Sequence, residues 1–204
     1  MISTAHVHSL AGSHSIDDQD LQKIFATTPG IAQEVLPAEG NLGYGHLYYA
    51  LGRLLRPRHA LVIGSGFGFT PGVLALALKH NGVGQLSFVD PSLSNLREGP
   101  NAAHGGAGSW DSPEAVKARF SKLGVQDVVR HIKLFNHEFF PQYQELGLPP
   151  VDLAIIDGAH DYENALYDFR ETLKVLRLPG FIFLHDATNF WNRTGHMGVA
   201  RLVQ

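Results

Sequence analysis

Short, continuous apolar runs alternate along the chain with stretches whose apolar residues recur every three or four positions. The runs have the length of buried parallel strands, and the periodic stretches are typical of helices packed on a sheet. Five runs predict five strands, at residues 60–63, 85–90, 128–135, 151–157 and 181–185. Strands alternating with helices in this way indicate an α/β fold with a parallel sheet.

The periodic stretches predict helices before and between these strands. They begin near residues 17, 45, 71, 113 and 162, and GVARLVQ at the end of the chain has the pattern of one more. Thr70 is expected to cap the helix that begins at Pro71, because its hydroxyl can accept a free N–H of the first turn. Residues 1–44 are interpreted as an N-terminal arm with one short helix, and residues 45–204 as a single domain.

Composition narrows the classes of function. The net charge is −3 and basic residues are scattered, so nucleic acid is not favoured as a partner. The chain has no cysteine, which excludes disulfides and thiolate chemistry. No apolar run approaches the roughly 20 residues of a membrane span, and the N-terminus lacks the pattern of a secretory signal. A soluble cytoplasmic protein with a small-molecule substrate is therefore expected.

The sequence ALVIGSGFGFTP, residues 60–71, places three alternate glycines between a predicted strand and a predicted helix. Such a turn lets backbone approach a ligand closely at a helix N-terminus. A dinucleotide fingerprint would need a glycine where this chain has Phe69, and no Lys-Ser/Thr follows for a phosphate loop. The G-x-G-x-G spacing is instead the pattern of class I S-adenosylmethionine (SAM) methyltransferases, although many tight turns use glycine for geometry alone.

An acidic residue ends the second predicted strand. Asp90 stands 22 positions after Gly68 (90 − 68). In doubly wound folds an acid at about this distance accepts hydrogen bonds from ribose hydroxyls. The alternative is that Asp90-Pro91 only forms a turn.

The run IDGAHDY at residues 156–162, together with the glycine turn and Asp90, resembles class I SAM-dependent methyltransferases, most of all methyltransferase family 24. The resemblance implies a Rossmann-like, doubly wound, mostly parallel sheet. It also implies roles for individual residues. Asp90 would bind the ribose diol, Asp157 would face the methionine end of SAM, and His137 would lie near the adenine. The methionine and ribose side would be lined by Gly64, Ser65, Gly66 and Gly68.

This chain departs from the family pattern at its end. The family fold has seven strands, and only 18 residues follow Asp186 (204 − 186), so the last two strands are expected to be missing. A bare edge strand invites pairing, and a homo-oligomer that covers the edge is one expectation. A second is that the chain is a fragment of a longer protein, and a third is a non-catalytic, truncated Rossmann-like module with a binding or assembly role.

Four polar residues lie at or just past the carboxyl ends of the fourth and fifth predicted strands: Asp157, His160, His185 and Asp186. Their side chains converge if these strands are neighbours, as the family fold implies. Asp157, His160 and His185 are the candidate catalytic residues, with histidine as the general base for a hydroxyl. Some relatives bind Mg²⁺ with carboxylates at such positions, which makes Asp157 and Asp186 candidate metal ligands. The alternative is structural: His160 and Asp161 only cap the following helix, and His185 bonds backbone in the turn.

Together these observations predict a SAM-dependent methyltransferase that transfers a methyl group to a small molecule, most readily at an oxygen. Trp110, Phe190 and Trp191 are candidates for an aromatic wall around the substrate, unless they serve only in packing. A nicotinamide-dependent oxidoreductase is disfavoured by Phe69.

Overall fold

A computed structural model describes residues 15–28, 30, 33–64, 66–92, 108–187 and 198–203. In these residues five β-strands alternate with α-helices. The strands are β1 (His59–Ile63), β2 (Gln85–Val89), β3 (Val129–Ile132), β4 (Val151–Ile156) and β5 (Leu176–Leu184). The helices are α1 (Asp18–Thr27), α2 (Gly45–Leu55), α3 (Phe69–Asn81), α4 (Pro113–Leu123), α5 (Asn136–Phe139), α6 (Tyr162–Val175) and α7 (Val199–Leu202).

The five strands form one parallel sheet in the order β3-β2-β1-β4-β5. The chain runs outward from β1 to β3, then crosses back to place β4 on the other side of β1. The direction of winding therefore reverses between β1 and β4, where ligands bind in open α/β sheets. The predicted α/β class and parallel sheet are confirmed.

Helices cover both faces of the sheet, as expected of a doubly wound fold. Alternate residues of each strand point to opposite faces. In β1, Val62 joins the core beneath α1–α4, whereas Leu61 and Ile63 join the core beneath α5 and α6. All five residues of β1 are buried, as a central strand of a parallel sheet requires.

Three predicted boundaries were wrong. Helix α3 begins at Phe69 with Gly68 as its N-cap in the left-handed region, so Thr70 lies inside the first turn, buried, and does not cap it. Strand β3 ends at Ile132, because Phe135 already precedes α5. Strand β5 begins at Leu176, directly after α6, because the Pro179-Gly180 break is taken up as an irregularity in its pairing with β4.

Residues before position 45 contribute to the same core. Ile24 of α1 and Leu42 are fully buried against α3 residues such as Leu74. The division of the chain at residue 45 stays a prediction. Within the described residues every helix is too short or too polar to cross a membrane. Strand β5 lies at one edge of the described sheet, and a second subunit over this edge also stays a prediction.

Candidate active site

Four of the predicted site residues form a row along the carboxyl edge of the sheet. Each is the first residue after its strand, and its backbone N–H still bonds the neighbouring strand. Gly64 donates to Val89 O at 2.8 Å, Asp157 to Ile63 O at 2.8 Å, His185 to Ile156 O at 3.0 Å and Asp90 to Ile132 O at 3.2 Å. The strand order therefore places them as Asp90, Gly64, Asp157 and His185, about 4.8 Å apart from strand to strand.

The glycine turn needs glycine for two different reasons. Gly64, Gly66 and Gly68 all have positive φ, at 72°, 52° and 86°, which side chains rarely adopt. Gly64 is also in backbone contact with the next loop, because a Cβ there would overlap the carbonyl of Asp157. The turn is thus held against the residue that follows β4. Ser65 lies outside the described residues.

Asp90 is buried beside the turn, with 5% of its surface exposed. Its Oδ1 accepts the backbone N–H of Ser92 at 2.8 Å, and its carbonyl contacts Nε2 of His131 at 2.9 Å. Oδ1 of Asp90 therefore closes the Asp-Pro turn. This role in the turn does not exclude a role of the same carboxylate in binding ribose.

Asp157, His160, His185 and Asp186 form one compact cluster, as predicted. Nε2 of His160 lies 3.5 Å from Oδ1 of Asp157 and 3.3 Å from Oδ2 of Asp186. Nδ1 of His185 lies 3.2 Å and 2.9 Å from the same two oxygens. These are ionic contacts for His185, because neither ring nitrogen has a hydrogen-bond partner among the described residues.

The carboxylates and imidazoles of the cluster shift one another's pKa values. Burial alone would lower the pKa of His185, but the two carboxylates outweigh it and raise the pKa to about 10. Burial likewise opposes the raised pKa of His160, where Asp157 and Asp186 again dominate. Burial would raise the pKa of Asp157, yet His160 and His185 hold it below its usual value.

The two histidines differ in access. The side chain of His160 is 27% exposed and that of His185 only 5%. The ring of Tyr44, the residue before α2, lies edge-on to His185, with centroids 5.7 Å apart. His160 does not cap α6; that role belongs to Asp161, whose side chain accepts the N–H of Asn164.

His137 lies apart from this row, in α5. Its side chain is exposed and stacks on Phe135, with ring centroids 5.4 Å apart. The neighbouring Asn136 points the other way and donates from Nδ2 to Oδ1 of Asp168 at 2.5 Å. An adenine role for His137 stays a prediction.

Asp168 is a buried acid that the sequence reasoning missed. It is fully buried on the inner face of α6, and its Oδ2 has no hydrogen-bond partner among the described residues. Burial raises its pKa to about 7, against the opposing hydrogen bond from Asn136. Its burial could have been predicted from its spacing, because Asp168 stands three positions after Ala165 and therefore on the helix face that packs against the sheet.

We expect Asp168 to make the protein less stable as the pH rises. A carboxyl with a raised folded-state pKa stabilises the fold at low pH and loses that contribution through the folded value, about 7. Between about pH 6 and pH 8 the free energy of unfolding should fall by about 1 kcal/mol from this group. Urea unfolding of the wild type and Asp168→Asn at both pH values measures it. All other ionisable groups are the same in the two proteins, so an equal fall in both would contradict the assignment.

Trp110 does not line a substrate wall. Its side chain is fully buried between Phe88 and Phe120, so its packing interpretation is the right one. Phe190 and Trp191 lie outside the described residues.

A turn of glycines after β1, an acid after β2 and an acid after β4 on a 3-2-1-4-5 parallel sheet define the class I methyltransferase fold. Residues 61–187, more than half of the chain, match the family described as a methyltransferase domain, methyltransferase family 24. The chain belongs to this family. No curated protein matches its sequence.

Solved structures share the fold. The O-methyltransferase TomG from Streptomyces achromogenes, involved in tomaymycin synthesis and bound to SAM, is 22% identical with a TM-score of 0.59; the match covers 91% of this chain and 76% of that one. An O-methyltransferase from Bacillus cereus with S-adenosylhomocysteine (SAH) is 18% identical, with a TM-score of 0.52 and coverage of 79% and 63%. The SAH-bound methyltransferase PaMTH1 from Podospora anserina is 18% identical, with a TM-score of 0.55 and coverage of 86% and 64%. The chain thus spans less than two thirds of the last two proteins.

Proposed function

We propose that this chain binds SAM across the row Asp90, Gly64 and Asp157 and transfers its methyl group to an oxygen of a small molecule. The observation that carries the proposal is the cluster of two carboxylates and two histidines at the Asp157 end of that row, the end that would face the methionine part of SAM. Two of the three similar structures are named O-methyltransferases, which supports oxygen as the acceptor atom. The family match does not favour the alternative of a non-catalytic module.

His160 is the better of the two candidate bases. It is the more exposed histidine, and its Nε2 faces both carboxylates. With the Nε2 proton held there, Nδ1 is the nitrogen that accepts the proton of the acceptor hydroxyl. When bound, SAM would supply an electrophilic methyl group: its carbon–sulfur bond would break as the carbon–oxygen bond forms, which leaves the neutral thioether of SAH, and the hydroxyl proton would move to His160. His185, buried beside the same carboxylates, holds them in place.

Mg²⁺ does not fit this cluster well. The oxygens of Asp157 and Asp186 that would hold it each contact ring nitrogens of both histidines, within 3.5 Å. One ligand atom each from Asp157, His160 and Asp186 lie within 4.8 Å of one another. Mg²⁺ prefers oxygen ligands, whereas a set that includes imidazole suits metals such as Mn²⁺ or Fe²⁺. We therefore assign the positive charge between the carboxylates to the imidazoles.

Removal of divalent cations is accordingly expected to leave methyl transfer unchanged. The measurement compares initial rates of SAH formation before and after treatment with a chelator. If the chelator lowers the rate and Mg²⁺ restores it, Asp157 and Asp186 act as magnesium ligands. Restoration by Mn²⁺ alone would make His160 a metal ligand instead of a base.

The proposal as a whole is tested by two measurements on the 204-residue chain. SAH is titrated calorimetrically into the protein, and SAM is then incubated with a panel of hydroxylated small molecules while SAH release is followed. Binding together with SAH release that depends on an acceptor is the expected result. A folded protein that binds neither SAM nor SAH contradicts the proposal and revives the assembly module, and binding of NAD in their place would revive the oxidoreductase.

A further inference from the structure

Two segments of the proposed SAM site come from different loops and must be aligned with each other. Residues 66–68, the turn segment, follow β1. Residues 90–92, the acid segment, follow β2 and carry Asp90. A ligand would contact both segments at once. If one segment were displaced relative to the other, the ligand's contacts with that segment would weaken.

Trp110 is hydrogen-bonded to both segments. Its indole Nε1–H donates to the carbonyl oxygen of Gly66 at 3.1 Å, and its backbone N–H donates to Oγ of Ser92 at 3.0 Å. Ser92 donates its own backbone N–H to Oδ1 of Asp90 at 2.8 Å. One fully buried residue therefore joins the glycine turn to the carboxylate.

The indole ring is also pressed against the turn segment. A Cβ added to Gly68 would lie 2.5 Å from Cη2 of Trp110, so the ring contacts the backbone there. The ring in turn packs between Phe88 of β2 and Phe120 of α4. The sheet and α4 therefore fix the position of the indole ring, and the backbone of the turn segment packs against the ring.

Arg119 of α4 reinforces this arrangement. Its guanidinium lies 4.9 Å from the centre of the Trp110 ring, a cation–π contact, and its NH1 donates to the carbonyl of Phe67 at 3.0 Å. Two successive carbonyls of the turn are thus held by side chains from outside it. Asp111 extends the network on the other side, where its Oδ1 accepts the Ser92 hydroxyl at 2.9 Å.

We propose that Trp110 is a positioning residue of the cofactor site, which aligns the glycine turn with Asp90 and thereby sets the affinity for SAM. Trp110 itself is fully buried and acts through its contacts with Gly66, Gly68 and Ser92. This inference rests on the proposed function, because it assumes that the two segments bind SAM.

The test uses Trp110→Phe, which keeps an aromatic ring in the core but removes the donor to Gly66. We expect the dissociation constant for SAH, measured by calorimetry, to rise about tenfold, since a part-buried carbonyl of the turn loses its partner. Measurements are made at a temperature where circular dichroism shows each variant to be folded. Ser92→Ala breaks the same connection at its other end with a small change in volume, and a several-fold rise is expected there too.

Leu78→Ala is the control, because Leu78 is buried in the same core but lies beside Gly84, before β2, at the end of that strand opposite Asp90. It should lower the melting temperature and leave the SAH affinity unchanged. A double-mutant cycle supplies a readout that core packing alone would not move. Asp90→Asn should weaken SAH binding less in the Trp110→Phe background than in the wild type, because the two changes act on one connection.

The outcomes separate the two proposals. If the unmodified chain binds SAH and the Trp110→Phe and Ser92→Ala variants bind equally well, the positioning role is overturned and the proposed function stands. The positioning role is also overturned if affinity simply tracks melting temperature across all variants, including Leu78→Ala. If the folded, unmodified chain does not bind SAH, the proposed function fails first, and the role of Trp110 falls with it.

Discussion

Replacement of Asp90 by alanine is expected to weaken SAH binding by about 100-fold or more, because the carboxylate would accept two hydrogen bonds from a ribose diol. Its position supports this size of effect. Asp90 directly follows β2, two strands from Asp157, and its backbone N–H is fixed by Ile132. Calorimetric titration of SAH into wild type and variant measures the change.

Two further variants make the Asp90 result specific. Asp90→Asn can still accept the Ser92 N–H, so it removes the charge without undoing the turn, and a smaller loss of affinity is expected from it. Asp127→Ala removes an exposed acid before β3, at the opposite end of the sheet, and should bind SAH as the wild type does. Equal affinity in wild type and in a folded Asp90→Ala variant would exclude Asp90 from the cofactor site.

The parts of the fold and site that were predictable depend on neighbours in sequence. Gly64, Asp90 and Asp157 each follow an apolar run directly, and a parallel sheet brings the carboxyl ends of its strands to one edge. Local pattern alone therefore predicts that they share that edge. Predicting the cluster around His160 requires one further assumption, that β4 and β5 are neighbours. The order of the strands in the sheet confirms this assumption.

The parts that were not predictable depend on partners far away in sequence. From the sequence Trp110 is a candidate both for a substrate wall and for packing, and nothing in the pattern shows that its indole bonds Gly66, 44 positions earlier. Asp168 reads as one polar residue of an amphipathic helix, and its partner Asn136 stands 32 positions before it. Periodicity can show that a side chain faces the core, but not which polar group meets it there.

Loss of the His160 imidazole is expected to slow methyl transfer by about 10²- to 10⁴-fold, the usual contribution of a general base. His160→Gln keeps a polar side chain of similar reach and cannot accept a proton. Because the proposed base contacts the acceptor hydroxyl and not the nucleoside, the variant should bind SAH with nearly unchanged affinity. Initial rates of SAH formation and calorimetric SAH binding, measured on the same preparation, separate the two effects. His80→Gln, at the far end of α3 from the row, is the control and should keep the wild-type rate.

The assignment of His160 as the base also predicts the direction in which the rate changes with pH. A base must lose its proton before it can act, and Asp157 and Asp186 raise the pKa of His160 above its usual value although burial opposes this. The rate should therefore increase as the pH rises through that raised pKa. Asp186→Asn removes one of the two charges that hold the proton, so the midpoint of the rise should move to lower pH while the plateau rate changes less. A profile whose midpoint is the same in wild type and Asp186→Asn would show that the titrating group lies outside this cluster. A His160→Gln variant that retains the wild-type profile would exclude His160 as the base.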